Sequence, residues 1–191
     1  MAFEKITEKS SLYNDLDKMS IGELLYSMNQ EDQKVPLAVE KALPQVAKAV
    51  DAISTAFENG GKLIYIGAGT SGRLGIIDAA ECPPTYGVPH ELVQGIIAGG
   101  KERVFRAGEN EEDNYEKGVN DVKDILNKND ILVGISAAGG AKYILAALET
   151  AKNIVKILDN KKAIDIGLIK TAYKQDITEH ITKKVWANTK N

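Results

Sequence analysis

Between Gly67 and Gly72 the chain places three glycines, Thr70 and Ser71 directly after an apolar run, and Arg73 follows. A strand that empties into such a loop at the start of a helix makes an anion site. Free backbone N–H groups and the positive end of the helix dipole favour phosphate, and the two hydroxyls add donors without adding charge. Thr70, Ser71 and Gly72 are therefore the candidate phosphate ligands. The bland alternative is a tight turn whose glycines serve only positive φ and close packing. A nucleotide is the weaker version of the idea. Gly67, Gly69 and Gly72 fit the G-x-G-x-x-G spacing, but Glu91 precedes its strand where a ribose-binding acid should end it, and no Lys-Ser or Lys-Thr follows the glycines.

Two groups of carboxylates can supply acid and base chemistry beside a bound anion. Glu81 stands just before Cys82-Pro83-Pro84, which stiffens its backbone, and Glu109, Glu111, Glu112 and Asp113 precede a predicted helix. Two acids on separate loops of one crevice can divide the roles of proton donor and acceptor. Read blandly, Glu81 is a helix-end acid bonded to backbone, and the four later carboxylates are solvated partners of a helix dipole. Cys82 suits an inert small thiol, and His90 and His180 share no ligand spacing with it or with each other. Neither a metal nor a cofactor is expected.

The elements that must position these residues follow from periodicity. Lys62 to Ile66 reads as a strand buried on both faces, with Leu74, Ile76 and Ile77 at helical spacing after the loop and the helix ending before Glu81. Leu92 to Ile97 and Ile131 to Ile135 are further strands, the second emptying into Ser136-Ala-Ala-Gly-Gly140, and Ile154 to Leu158 reads as a fourth. Helices are predicted at Tyr115 to Leu126 and Lys142 to Lys152, whereas Ile164 to Ile169 fits either a strand or a helix. Upstream, Ser20-Ile-Gly-Glu23 has the form of a capping box before a helix ending near Asn29. An apolar face then runs from Val35 to Phe57, interrupted at Pro44, and Asn59-Gly60-Gly61 stops it. Met1 to Met19 is an irregular lead-in, and Trp186 is the one large anchor of a polar tail. This alternation predicts an α/β three-layer sandwich around a parallel sheet, with ligands beyond the carboxyl ends of the strands. Residues 1–58 form an N-terminal helical extension in this reading, and 59–191 the α/β domain, incomplete after about 158.

Composition limits the function classes. The chain has 191 residues, a net charge of -3 and no basic stripe, so nucleic acid is not an expected partner. Its single cysteine permits no internal disulfide, and its apolar runs are too short to span a bilayer. Without a charged-then-apolar leader at Met1 to Tyr13, a cytoplasmic location is expected.

Asn29-Gln-Glu-Asp, Ala42-Leu-Pro, LIYIGAGTSGRLGIIDAAECPPTYGVP and Leu92-Val-Gln-Gly-Ile-Ile-Ala-Gly-Gly100 strongly resemble N-acetylmuramic acid 6-phosphate etherases of the sugar isomerase (SIS) domain superfamily. The resemblance covers about Thr7 to Ala151. It implies a flavodoxin-like SIS sandwich, a homodimer with active sites near the subunit interface, and metal-free cleavage of a lactyl ether to N-acetylglucosamine 6-phosphate and D-lactate in peptidoglycan recycling. Carried over, Glu81 looks like the general acid, Glu112 like the base in a loop it shares with Glu109 and Glu111, and Thr70, Ser71 and Gly72 like phosphate ligands. The chain departs from the pattern in two places. Where the family carries Ser, Arg and Thr after the third strand, this sequence has Ala138, Gly140 and Ala141 with Lys142, and nothing after about Lys152 matches the family's further stretch. A non-catalytic sugar-phosphate-binding SIS module, or an inactive truncated family member, is the alternative. A sugar-phosphate isomerase is a third reading, disfavoured because the ECPP segment is peculiar to the etherase branch.

Overall fold

The computed structural model describes residues 10–159, 163–170 and 182–188. The expected roles of the first nine residues, of His180 and of the Trp186 ring lie outside what it describes.

Among the described residues, three α-helices precede the first strand. Helix α1 (Ile21–Asp32) starts at Ser20, whose Oγ accepts from the Glu23 N–H while the Glu23 carboxylate accepts from the Ser20 N–H at 2.8 Å. The capping box read in the sequence is formed. Both partners are exposed, so Ser20→Ala is expected to cost about 1 kcal/mol of local helix stability, read as lost helical ellipticity and faster amide exchange at Glu23. Helix α2 (Lys34–Glu40) carries Pro36 in its first turn, and α3 (Leu43–Glu58) carries Pro44 in its own, so the break expected at Pro44 separates two helices. Gly60, at φ +74°, turns the chain out of α3 into the sheet.

Strands β1 (Leu63–Gly67), β2 (Val93–Ile97) and β3 (Ile131–Ser136) form a parallel core in the order β2-β1-β3. Helix α4 (Gly69–Tyr86) crosses from β1 to β2, and the short α5 (Glu102–Phe105), α6 (Tyr115–Lys123) and α7 (Lys142–Asp159) follow in turn. Alternating side chains of each strand serve opposite layers. Leu63, Val133 and Ile135 pack with Ala49, Ala52 and Ala56 of α3 and Ala79 of α4. Ile64, Ile66 and Leu132 pack with Val122 of α6 and Tyr143, Ile144, Ala147 and Leu148 of α7. The predicted three-layer α/β sandwich is thus the observed fold.

Three sequence expectations are corrected. Helix α4 does not stop before Glu81 but runs through Pro83 and Pro84 to Tyr86, where Gly87 at φ +66° caps it and donates to the Pro83 carbonyl at 2.9 Å. Ile154 to Leu158 is no strand; it is the last part of α7, whose backbone continues helical to Asp159. The remaining strands, β4 (Ala163–Lys170) and β5 (Thr182–Asn188), form an antiparallel pair, and β5 lies antiparallel to β3 with Trp186 in register with Leu132. The sheet is therefore parallel over β2-β1-β3 and antiparallel beyond. The core strands' order reverses at β1 and β3, and the crevice beyond their carboxyl ends is the switch point where ligands of such sheets bind.

Candidate active site

The first turn of α4 opens into that crevice. Ala68 at the N-cap offers no side-chain acceptor, and the first amide satisfied within the helix is that of Gly72, which donates to the Ala68 carbonyl at 3.4 Å. The N–H groups of Gly69, Thr70 and Ser71 are left to point at whatever occupies the crevice. Gly69 adopts φ +54°, and a Cβ on Gly72 would lie 2.8 Å from the Gly67 carbonyl oxygen and 2.7 Å from Ile97. The glycines therefore do what the bland reading asked, letting α4 sit close on the sheet, and in doing so they leave the amides open to an anion.

Two arginines tie this turn to the acidic segment. Arg73 donates from Nε to the Val104 carbonyl and from Nη2 to the Arg103 carbonyl, both at 2.8 Å. Arg103 in turn donates from Nε to Glu111 Oε1 at 3.2 Å and from Nη1 to the Ala107 carbonyl at 3.4 Å. A Cβ on Gly108 would strike the Arg103 guanidinium, so the loop wraps closely around it. Glu111, Glu112 and Asp113 form a 3-10 turn in which Glu111 faces Arg103, Glu112 is exposed, and Asp113 lies 3.5 Å from Lys142 Nζ. Sequence reasoning singled out the acids but missed Arg103, whose partner eight residues on carries no periodic signal. Arg103→Met is expected to release the loop, speeding amide exchange over residues 107–113 and costing about 1 kcal/mol, since the pair is partly exposed.

The loop after β3 closes the far side of the crevice. Ser136 Oγ accepts from the Gly139 N–H at 3.0 Å, and Gly139 takes φ +75° before α7 begins at Lys142. Side-chain hydroxyls are sparse here. Lys142 is the cation of this loop, and it leans toward Asp113.

Glu81 lies elsewhere in the same chain. Close contacts fix the direction of α4: Gly72 sits against Gly67 and Ile97, Gly75 against Tyr65, and Cys82 packs with the cluster that holds Leu63 and Val93. The helix therefore runs from the carboxyl ends of the strands to their amino ends, and Glu81 is exposed near the latter. The crevice gathers Thr70, Ser71 and Gly72, the 111–113 turn and the Ser136–Lys142 loop of one chain, without Glu81. Burial, aided by Asp78, pushes the neighbouring Cys82 thiol above its ordinary range, which fits an inert thiol. Burial with Asp78 beside it likewise raises the Tyr65 phenol. His90 is exposed, and among the described residues no group of three His, Cys, Asp or Glu side chains is arranged to hold a metal. No helix among them is long and apolar enough to cross a membrane.

A family model describing the glucokinase regulatory protein N-terminal SIS domain matches residues 45–152. The chain belongs to the SIS-domain family. The matched stretch runs from α3 through α7 and includes both loops of the crevice. The SIS chain is also 55% identical over 151 residues to the N-acetylmuramic acid 6-phosphate etherase of Aliivibrio fischeri strain MJ11, covering 78% of this chain and 50% of the relative. To the enzyme of that name from Vibrio vulnificus strain YJ016 it is 59% identical over 138 residues, 72% of this chain and 46% of the relative. The Pasteurella multocida protein of the same name is 50% identical over 151 residues, again half of its length. The chain thus spans about half the length of these curated relatives.

Proposed function

We propose that this SIS chain is a lyase that cleaves the lactyl ether of N-acetylmuramic acid 6-phosphate, acting as a homodimer in the cytoplasm during cell-wall recycling. The observation that carries the reading is the open first turn of α4 beside the 111–113 acidic turn, in a stretch strongly similar to relatives bearing the etherase name. In this reading the phosphate takes the N–H groups of Gly69, Thr70 and Ser71 and the Thr70 and Ser71 hydroxyls, in the positive end of the α4 dipole. The sugar extends in its open-chain form toward the acidic turn. Its aldehyde makes the C2 proton acidic, and the Glu112 carboxylate removes it. The C2 electron pair forms the C2–C3 double bond as the C3–O bond to lactate breaks, and a Glu81 carboxyl from the second subunit of the homodimer gives its proton to the departing oxygen. Water then adds at C3 and a proton returns to C2, giving N-acetylglucosamine 6-phosphate and D-lactate. Two carboxylates suffice for every proton transfer.

A second reading, a non-catalytic SIS module that binds an amino-sugar phosphate, is favoured by the engagement of Lys142 with Asp113 and by the hydroxyl-poor loop after β3. Calorimetry with N-acetylglucosamine 6-phosphate, run beside an assay for D-lactate released from the muramic acid phosphate, separates the two. Heat of binding with lactate release supports the etherase. Binding without lactate, where a longer relative releases it under the same conditions, supports the module and overturns the first reading.

A further inference from the structure

Arg73 lies one helical turn beyond the amides that open into the crevice. The etherase reading gives it no task, yet the structure commits its guanidinium to backbone. Nε donates to the Val104 carbonyl and Nη2 to the Arg103 carbonyl, both at 2.8 Å, a planar fork across two consecutive acceptors of α5. The contacts continue to the acidic turn. Arg103 holds Glu111 and the Ala107 carbonyl, and a Cβ on Gly99 would lie 2.6 Å from Arg103 Cγ and 2.7 Å from Glu111 Oε1, so the pair is closely enclosed. On the other flank Asp113 leans on Lys142. Glu112, between these two tied acids, makes no ion pair or hydrogen bond among the described residues. Its carboxylate is presented by neighbours that are themselves held.

Two features make Arg73 more than a strut. No residue from Lys101 to Asp113 is buried, so this segment has no apolar anchor and polar ties set its place. The turn of α4 that leads to Arg73 is also loosely fastened at its start. Ala68 supplies no capping side chain, and the Gly72 N–H reaches the Ala68 carbonyl only at 3.4 Å. An anion on the amides of Gly69, Thr70 and Ser71 caps that turn and stiffens the base from which Arg73 grips α5. We propose that Arg73 is a positioning residue that couples occupancy of the first turn of α4 to the placement of Glu112, so that the substrate's phosphate orders the base as well as anchoring the sugar. The proposal rests on the etherase reading for what Glu112 does; the link from anion to acidic turn rests on the contacts of Arg73 and Arg103. Coupling is reciprocal, so holding the segment tightens the anion site by the same factor.

Residue-resolved amide exchange on the full chain, with inorganic phosphate as the ligand, reads the coupling without turnover. Phosphate carries no sugar that could touch the acidic turn itself. In the wild type, exchange is expected to slow at Gly69 to Ser71 and, about two- to fivefold, over residues 107–113. Arg73→Lys keeps the charge near the anion, but an ammonium does not fork across two carbonyls. It should retain the slowing at Gly69 to Ser71 and lose that at 107–113, and Arg103→Met, which cuts the same chain one link further on, should do likewise. A wild type that slows at Gly69 to Ser71 alone, or an equal response at 107–113 in both variants, overturns the coupling and leaves the etherase reading in place. No slowing at Gly69 to Ser71 removes the anion from the turn and the coupling with it. Kinetics on N-acetylmuramic acid 6-phosphate supply the second arm. Arg73→Lys should lower kcat about 10- to 100-fold, as a misplaced base does, with KM changed by less than about fivefold. A KM that rises while kcat stays makes Arg73 a phosphate ligand and overturns the positioning role. A wild type that releases no lactate rejects the etherase reading and leaves amide exchange to judge the coupling.

Discussion

Glu81→Gln should lower lactate release by about 10²- to 10⁴-fold while leaving the binding of N-acetylglucosamine 6-phosphate unchanged. The expectation follows from what the side chain is asked to do. The lactate oxygen is a poor leaving group unless a proton reaches it as the C3–O bond breaks, and an amide of the same shape has no acidic proton to give. Glu81 is exposed in the interior of α4, far along the helix from the amides proposed to hold the phosphate. The substitution removes no buried partner, so stability should stay within about 0.5 kcal/mol. Calorimetry, thermal unfolding and a lactate assay on one preparation check all three statements. A loss of binding equal to the loss of rate would mean that Glu81 holds the substrate instead of protonating it.

The largest stability effect is expected at Gly118. This residue lies in the middle of α6 where the helix presses on the start of α7, and an added Cβ would run into the Tyr143 carbonyl oxygen and come within 3.1 Å of the Ala146 Cβ. Tyr143 cannot withdraw. Its side chain is fully buried, and its hydroxyl donates to Asp121 on α6 at 2.8 Å, which pins the two helices together at the same level. Gly118→Ala should therefore cost about 3 kcal/mol, through a forced separation of α6 from α7, and lower the urea midpoint accordingly. Gly22 in α1 provides the contrast. Nothing lies within 4 Å of its notional Cβ, so Gly22→Ala should stabilise the extension by about 0.5–1 kcal/mol.

What could be read from the residues divides along physical lines. Periodic burial was legible: the apolar runs at Leu63, Val93 and Ile131 are the parallel strands, and Ser20 with Glu23 caps α1 as written. Pro83 and Pro84 were misleading because a proline normally ends a helix. Here its fixed φ is compatible with the helix already formed, and packing of Ala79 and Cys82 on the sheet holds the last turns in place. Ile154 to Leu158 misled for another reason: a short apolar run carries no period that separates a strand from the end of a buried helix. Strand β5 is polar and pairs antiparallel to β3, so nothing in its composition announced it.

The site was legible in its parts and not in its arrangement. Thr70, Ser71 and Gly72 occupy the helix start that the glycine spacing predicted, and the acids at 111–113 stand beside the same crevice. The distance from the loop to Glu81 was not visible while the helix was expected to stop before that residue. Counted along a continuous α4, Glu81 belongs to the opposite end of the sheet.

The most direct test of the central claim is to incubate the purified chain with N-acetylmuramic acid 6-phosphate in deuterated water and to measure D-lactate together with deuterium at C2 of the sugar product. Elimination followed by hydration predicts equal amounts of lactate and N-acetylglucosamine 6-phosphate, the latter deuterated at C2. No lactate where a longer relative releases it, or lactate accompanied by unlabelled C2, would contradict the account.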